Sequence, residues 1–257
     1  MNIENKVAVV TGGASGLGRA VLEELNKTGI KVAVFDLNQE QGAQLSAEFG
    51  NDKVMFVCTD VTNETSVESA FESVIAQFGR VDICINCAGI APAKKVLDRD
   101  KKAQALSAFS LAININLIGS FNVARMAAEK MALNEPNNDN ERGVIINTAS
   151  VAAYDGQMGQ TAYAASKGGI VALTLPMARD LASSGIRVNT IAPGIMGTPM
   201  LLAMPEKVQE SLVNNIQFPK RMGLPNEFAR LALHIIENSY LNGETIRLDG
   251  AIRMPAR

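Results

Sequence analysis

The sequence predicts a single α/β domain built on a doubly wound, parallel β-sheet with helices on both faces. Short runs rich in valine and isoleucine alternate with amphipathic helical patterns, as where Val54–Cys58 precedes Glu64–Phe78. Strict strand–helix alternation is typical of parallel sheets with right-handed crossovers. With 257 residues, 47% of them hydrophobic, the chain is long enough to bury a sizeable core. Because no linker interrupts the pattern, residues 1–257 are expected to form one domain.

Each element follows from the local pattern. The apolar run Lys6–Thr11 predicts a first strand buried on both faces, and a glycine-rich turn then opens a helix that ends near Gly29. Asn134–Arg142 is rich in Asn, Pro and charge, which predicts a surface loop. The other predicted elements, in chain order, are Lys31–Phe35, Gln39–Phe49, Val54–Cys58, Glu64–Phe78, Val81–Asn86, a helix from about Leu106 to Leu133, Gly143–Thr148, Thr161–Ser183, Arg187–Ala192 and Glu244–Leu248.

Composition narrows the possible functions. Lys plus Arg number 24 and Asp plus Glu number 26, a formal charge of −2, which lacks the basic footprint of a nucleic-acid-binding protein. By inspection of the sequence, no apolar run approaches the roughly 20 residues needed to cross a bilayer. The first residues lead into a strand without a signal or transit pattern. Three cysteines, an odd number, favour a reducing compartment. We therefore predict a cytoplasmic protein without nucleic-acid or membrane partners.

Glycine or polar residues follow six of the predicted strands. In sheets of this kind, ligands bind beyond the carboxyl ends of the strands. Because these ends lie along one edge of the sheet, the residues that follow them are expected to form one site. These residues are Thr11–Gly18, Asp36, Asp60-Val61, Asn86–Gly89, Ser150 and Pro193-Gly194.

The first of these segments predicts a dinucleotide site. Thr11–Gly18 reads Thr-Gly-x-x-x-Gly-x-Gly between a strand and a helix, where glycines admit a pyrophosphate and the helix supplies N–H donors. The residues expected at the cofactor here are Gly12, Ser15, Gly16, Leu17 and Gly18. Asp36 ends the second strand, where a carboxylate accepts hydrogen bonds from ribose hydroxyls and repels a 2′-phosphate, so NAD is preferred over NADP. The alternative for Asp36 is an ordinary turn residue.

Three further segments are expected to contact the same cofactor. Asp60 and Val61 would lie against the adenine ring. The small-residue turn after Asn86, made of Cys87, Ala88 and Gly89, lets the backbone pass close to the ligand. In the loop that begins at Pro193, residues Met196 and Thr198 would lie along the nicotinamide side.

Tyr163 and Lys167 lie four residues apart in the helix predicted from Thr161 to Ser183, and therefore on one face. An ammonium one turn away favours the phenolate and lowers a pKa that is ordinarily about 10. The pair would then support proton transfer near neutral pH. Chance also gives this spacing in ordinary helices, but Ser150 at the end of an apolar strand and the glycine-rich turn favour a catalytic interpretation.

Two other motifs are given structural interpretations. Cys84 and Cys87 form a Cys-x-x-Cys at the end of a strand, without the nearby Cys or His that a metal site needs, and they do not open a helix as redox pairs usually do. We therefore predict no metal site. His234 lies among leucines and isoleucine in a helical pattern and is interpreted as a packed or surface residue.

Taken together, these motifs resemble the short-chain dehydrogenase/reductase family over essentially the whole chain. The matching residues are Thr11–Gly18, Asn86–Gly89, Asn116, Ser150, Tyr163, Lys167 and Pro193-Gly194. Within the family, the segments Arg142–Ala153 and Leu241–Met254, the loop Asn134–Pro136 and the long segment between Gly89 and Asn116 look like the type II 3-hydroxyacyl-CoA dehydrogenases. One departure is Met196, where relatives often carry an aromatic residue.

The resemblance implies a Rossmann-type fold and a role for each matching residue. Tyr163 would be the general acid and base, and Ser150 would hydrogen-bond the same substrate oxygen. Lys167 would hold the cofactor ribose and lower the pKa of Tyr163, while Asn116 would anchor a water that links Lys167 to solvent. An Asn bonded to backbone inside a helix is the alternative for Asn116. Gln157 is a candidate substrate contact.

The leading functional hypothesis is an NAD-dependent dehydrogenase that acts on a 3-hydroxyacyl-CoA. The alternatives are a 3-oxoacyl-carrier-protein reductase, a hydroxysteroid dehydrogenase, or a module that only binds NAD. The apolar segment Thr198–Met204 is expected to close over an acyl chain, or else to pack as a short helix. Family members usually form tetramers, and we expect a homotetramer in which the tail after Glu244, to Arg257, lies at an interface because Ile252 and Met254 would otherwise be exposed.

Overall fold

The computed structural model describes residues 1–256, with the side chains at positions 46 and 200 outside the description. In this part of the chain, seven parallel strands form one sheet in the order β3-β2-β1-β4-β5-β6-β7. The strands are β1 Val7–Thr11, β2 Lys31–Asp36, β3 Val54–Cys58, β4 Ile83–Asn86, β5 Gly143–Thr148, β6 Ile186–Pro193 and β7 Thr245–Leu248. The strand order reverses direction at β1 and β4, so the predicted doubly wound parallel sheet is confirmed.

Helices cover both faces of the sheet. They are α1 Gly16–Lys27, α2 Gln39–Phe49, α3 Glu64–Phe78, α4 Leu106–Ile113, α5 Ser120–Met131, α6 Thr161–Leu181, α7 Pro199–Leu202, α8 Glu206–Asn214 and α9 Pro225–Glu237. On one face, α1, α2 and α9 pack against the sheet around Leu22, Leu45 and Phe228. On the other, α3, α5 and α6 pack around Phe71 and Met177. The central strands are therefore buried on both faces, which explains their continuous apolar runs.

The long helix predicted from about Leu106 to Leu133 is interrupted. Between α4 and α5 the segment Asn114–Gly119 is π-helical. Inside it, the side chain of Asn116 turns away and bonds the backbone of Ile90, while Ser120 Oγ donates to the carbonyl oxygen of Asn116 at 2.7 Å. Such π segments shift the helical ladder and are frequent at functional sites.

The same helical run corrects an expectation about hydropathy. Leu106–Met131 is 26 residues long and contains an 18-residue window with a mean hydropathy of 1.4, so by length and composition alone it would be long and apolar enough to cross a membrane. In the fold, α5 packs as a core helix that buries Val123 and Ala127. The asparagines of the π segment interrupt the apolar run in the sequence, so the sequence alone did not predict a helix of this hydropathy.

The surroundings of the tail also differ from the expectation. Ile252 is fully buried within its own chain, where it packs with Val151 and Ile216, and Met254 lies against the same cluster. These side chains therefore need no partner subunit to cover them, and Arg257 lies outside the described residues. Apolar exposure is found instead on the helical run of α4 and α5, where Leu111 and Phe121 are about half exposed.

Candidate active site

The carboxyl ends of the central strands meet around Thr11. Its side-chain Oγ1 accepts hydrogen bonds from the backbone N–H groups of Cys87 at 3.1 Å and Ala88 at 3.0 Å. The hydroxyl therefore joins the glycine-rich turn after β1 to the small-residue turn after β4. Because β1 and β4 are neighbours where the strand order reverses, this junction lies at the point where such sheets bind ligands.

Glycine is required at two positions of the first turn. Gly12 has a φ of +63°, and a Cβ there would lie 2.9 Å from the backbone nitrogen of Ala88. A Cβ on Gly18 would overlap the carbonyl oxygen of Gly12. The first turn can therefore hold α1 tightly against β1 and leave the amino end of α1 facing the cavity beyond.

That cavity has a volume of about 600 Å³, within the usual range for small-molecule and cofactor sites. Twelve of the predicted cofactor residues line it, and they are Gly12, Ser15, Gly16, Leu17, Gly18, Asp36, Asp60, Val61, Cys87, Ala88, Gly89 and Thr198. Residues from five separate segments of the sequence thus converge on one space. The residues fit a dinucleotide, since a glycine cradle at a helix start and a strand-end carboxylate share one wall.

Asp36 has two roles in the structure. Its carboxylate accepts hydrogen bonds from the backbone N–H groups of Ala14 and Asn38, each at 3.1 Å. It therefore stabilises the glycine-rich turn, as the turn-residue alternative proposed. It also lines the cavity, so its remaining acceptor capacity faces the space where a ribose would lie.

The side chain of Ser150 lies close enough to that of Tyr163 to affect the pKa of the phenol. Ser150 follows β5 and caps a short 3₁₀ turn, Val151–Ala153, where its Oγ accepts from the backbone N–H of Ala152 at 3.1 Å. Burial raises the pKa of Tyr163, while the neighbouring side chain of Ser150 lowers it. The two hydroxyls predicted to bind one substrate oxygen therefore lie together.

Lys167 is almost completely buried one helical turn after Tyr163. Its Nζ donates to the carbonyl oxygen of Thr148 at 2.6 Å. Burial lowers the pKa of Lys167 to about 8, and Cys87 raises it. The prediction that Lys167 lowers the pKa of Tyr163 is wrong for this structure, because burial dominates both groups and Ser150 supplies the opposing effect on Tyr163.

Asn116 lies beside Lys167, but its amide is fully engaged. Nδ2 donates to the carbonyl oxygen of Ile90 and to Ser166 Oγ, each at 2.9 Å, and Oδ1 accepts from the N–H of Ile90 at 2.8 Å. Gly89 is flanked by both Asn116 Oδ1 and Lys167 Nζ. The backbone-bonded alternative for Asn116 thus describes its side chain, and the anchored water stays a prediction.

The remaining residues predicted to contact the cofactor or substrate do not line this cavity. Of the predicted cofactor residues that the structure describes, Tyr163, Lys167, Pro193 and Met196 do not line the 600 Å³ space. Met196 is 6% exposed and packs against Gly223. The side chain of Gln157 donates from Nε2 to the carbonyl oxygen of Pro255 at 3.2 Å. Gln157 is therefore tied to the tail of the chain.

Several residues that line the cavity were not predicted from the sequence. Phe35, Leu37, Thr59, Thr62, Ile90 and Pro199 neighbour predicted residues, and Leu111, Asn114 and Ile115 come from α4 and the π segment. Adjacency in the sequence could have identified the first group. The second group carries no local signal, because only the path of the π segment brings it to the cavity.

The two thiols of the Cys-x-x-Cys motif have environments unlike those of reactive cysteines. Burial raises the pKa of Cys84 well above its usual range and that of Cys87 to about 11, although a hydrogen bond from Thr148 and the charge of Lys167 lower the latter. Both thiols therefore hold their protons at neutral pH. His234 is exposed on α9, far along the chain from the cavity residues.

Comparison with known proteins identifies the family. Residues 6–209 match the family model described as short chain dehydrogenase. The chain is 54% identical over 253 residues to a 3-hydroxyacyl-CoA dehydrogenase type-2 of Drosophila melanogaster, covering 98% of this chain and 99% of the relative. It is 52% identical over 254 residues to the protein of that name from Homo sapiens, with coverage of 98% and 97%. A crystal structure of 3-hydroxyacyl-CoA dehydrogenase type-2 from Mycobacterium avium superposes with a TM-score of 0.95 at 44% identity, covering 99% of this chain and 98% of that one. The chain therefore belongs to the short-chain dehydrogenase family.

Proposed function

We propose that this protein is an NAD-dependent 3-hydroxyacyl-CoA dehydrogenase, which interconverts a 3-hydroxyacyl-CoA and the 3-oxoacyl-CoA. The observation that carries the proposal is the side chain of Ser150 beside that of Tyr163, with Lys167 buried one turn away. Relatives that carry this name match at about half of all positions over nearly the full chain.

The choice of NAD rests on Asp36. Its carboxylate faces the cavity beside Leu37, and neither Ser15 nor Leu37 offers a cation to hold a 2′-phosphate. A phosphate at this position would meet a negative charge with no partner, whereas ribose hydroxyls would find an acceptor.

Proton transfer is assigned to Tyr163. In reduction its hydroxyl gives a proton to the carbonyl oxygen of the substrate, and in oxidation its phenolate removes the proton of the alcohol. Ser150 Oγ holds the same oxygen within reach of Tyr163. Lys167 Nζ has two N–H donors beyond the one given to Thr148, and these would hold the ribose hydroxyls. When bound, the nicotinamide supplies or accepts the hydride.

A basic segment supports an acyl-CoA substrate. Residues 94–102 hold five Lys or Arg and two Asp, a net charge of 5 − 2 = +3, and they are exposed. The N–H of Lys94 bonds the carbonyl oxygen of Gly159 at 2.8 Å, which ties this segment to the loop after Ser150. Cations at that position would face the phosphates of a CoA ester.

The test is turnover with a panel of substrates. Purified protein is mixed with NAD and with 3-hydroxyacyl-CoA esters, a hydroxysteroid or a sugar alcohol, and NADH formation is measured. Fastest turnover with the CoA esters supports the proposal. Preference for the steroid would favour the hydroxysteroid alternative, and a preference for NADPH with an acyl-carrier-protein thioester would favour the reductase.

The Tyr163→Phe variant tests the catalytic assignment. It removes only the hydroxyl, so we expect NADH binding and thermal stability to survive while kcat falls by orders of magnitude. The matched control is Tyr240→Phe, because Tyr240 is fully exposed. Near wild-type turnover by Tyr163→Phe would contradict the assignment, and NADH binding without turnover by the unmodified protein would favour a module that only binds the cofactor.

We also propose that the protein is a homotetramer. The support is the half-exposed apolar side chains of α4 and α5, which include Leu111 and Phe121. An apolar surface of this kind on a helical layer is typical of an interface.

A further inference from the structure

The loop 154–160 joins the two catalytic hydroxyls. It begins after the 3₁₀ turn that Ser150 caps and ends where α6 begins at Thr161, two residues before Tyr163. Its path therefore sets how Ser150 and Tyr163 are placed relative to each other and to the substrate side of the site. What holds this loop in place bears directly on catalysis.

Arg247 on β7 holds the start of the loop. Its Nη2 pairs with Asp155 Oδ2 at 2.8 Å, and its guanidinium carbon lies 5.1 Å from the centre of the Tyr154 ring. The same side chain pairs through Nε with Asp249 Oδ2 at 2.7 Å and donates from Nη2 to the carbonyl oxygen of Ile252 at 3.0 Å. It is 21% exposed. One planar cation thus joins the loop to the tail of the chain.

The tail holds the end of the loop. The N–H of Met158 donates to the carbonyl oxygen of Ala256 at 3.0 Å, and Gln157 Nε2 donates to that of Pro255 at 3.2 Å. The loop 154–160 is therefore fastened at both ends to residues 247–256, here called the C-terminal clasp.

The clasp also contacts the 3₁₀ turn after Ser150 and the residues just after α8. Ile252 packs against Val151, which follows Ser150 directly, and against Ile216, just after α8. The carbonyl oxygen of Gly250 accepts from the N–H of Gln217 at 3.1 Å. The turn after Ser150, the loop 154–160 and the segment after α8 are thus joined through one terminal segment.

We propose that Arg247 is a positioning residue for the dehydrogenase reaction: by fixing the clasp to the loop 154–160, it sets the geometry of Ser150 and Tyr163 towards the acyl substrate. This inference rests on the proposed function. It also assigns Gln157 a role in holding the loop to the clasp. Arg247 touches neither reacting hydroxyl, so its effect passes through Asp155 and the tail.

The experiment compares Arg247→Met with Arg19→Met. Arg19 is a close match, since it is 23% exposed, pairs with two carboxylates and lies over the ring of Phe49 at 5.0 Å. We expect kcat/KM for 3-hydroxybutyryl-CoA to fall at least roughly tenfold in Arg247→Met, because misplacing catalytic groups by about 1 Å can cost about a hundredfold. Arg19→Met should stay within about twofold, and the Kd for NADH should stay within about twofold in both.

Arg247→Lys and Asp155→Asn separate positioning from general damage. Lysine keeps the charge but cannot hold two carboxylates and a carbonyl together, so Arg247→Lys should recover only part of the activity. Asp155→Asn keeps the shape of the loop, so it tests the proposal even if Arg247→Met does not fold. If Arg247 acts through the loop, the losses of Arg247→Met and Asp155→Asn will not add in the double variant.

The outcomes are distinct. Wild-type kcat/KM in Arg247→Met, additive losses in the double variant, or a loss of NADH affinity equal to the loss of turnover would each overturn the inference. Failure of the unmodified protein to oxidise 3-hydroxybutyryl-CoA would instead overturn the proposed function.

Discussion

Replacing Lys167 with methionine should change how the stability of the protein depends on pH. Burial lowers the pKa of this lysine from 10.5 to about 8. Between these two values the unfolded chain keeps a proton that the folded chain has lost, so the stability of the folded state rises with pH. Below about pH 8 both states are charged, and the folded state bears the cost of a buried ammonium.

The size of the effect follows from the two pKa values. Their difference means that the buried ammonium lowers the free energy of unfolding by about 3 kcal/mol at neutral pH. Raising the pH to about 9 removes roughly 1.5 kcal/mol of this destabilisation. The thiols of Cys84 and Cys87, whose pKa values are raised, lower the stability of the folded state as pH rises above the ordinary pKa of a thiol. Because both proteins carry these cysteines, the difference between wild type and Lys167→Met largely isolates the lysine.

The assay is chemical denaturation at a series of pH values. The free energy of unfolding of wild type should rise relative to that of Lys167→Met between about pH 7 and pH 9. Lys207→Met, on the exposed side of α8, serves as the control and should show no such change. A constant difference between wild type and Lys167→Met across this range would refute the argument that a buried cation is discharged.

Three further predictions concern specificity and assembly. Asp36→Ser combined with Leu37→Arg should shift cofactor preference towards NADP, because a repulsive carboxylate is lost and a phosphate partner gained; unchanged kcat/KM ratios for the two cofactors would contradict it. Replacing Leu201 and Leu202 with alanine should lower kcat/KM more for longer acyl chains, by severalfold over two or three methylenes at about 0.8 kcal/mol each, whereas equal losses would mean that the segment only packs the protein. Light scattering at micromolar concentration should give the mass of a tetramer, and a monomeric mass would exclude that assembly.

Local patterns were enough to predict the fold and most of the residues that line the 600 Å³ cavity. The alternation of apolar runs with helical patterns predicted the order of strands and helices along the chain. The glycine-rich turn before α1 needs Gly12 and Gly18 because a Cβ at either position would clash with the backbone. Asp36 could be placed because it ends a strand next to that turn. Each of these inferences depends on residues close together in the sequence.

Contacts between distant parts of the chain could not be predicted in this way. Nothing near Arg247 in the sequence indicates a partner at Asp155, 92 positions away, and nothing near Asn116 indicates Ile90. The π segment is a second example, since its sequence suits an ordinary helix and only the bonds of Asn116 to another segment show why the ladder shifts. The sequence predicted a lowered pKa for Tyr163, whereas burial raises it. The burial of a side chain depends on the whole fold and cannot be seen from neighbouring residues.

The electrostatics of Tyr163 and Lys167 indicate a second role for Ser150. Burial favours the neutral form of both Tyr163 and Lys167, raising one pKa and lowering the other. A buried phenol is a poor base unless something favours its anion. Among the described residues, the group that lowers the pKa of Tyr163 is Ser150. Its Oγ accepts from the N–H of Ala152 in the 3₁₀ turn just before the 154–160 loop, so the serine proposed to orient the substrate oxygen also lowers the pKa of Tyr163 against the effect of burial. The placement of that turn, and of the loop that follows it, thus bears on both the geometry and the acidity of the proposed site.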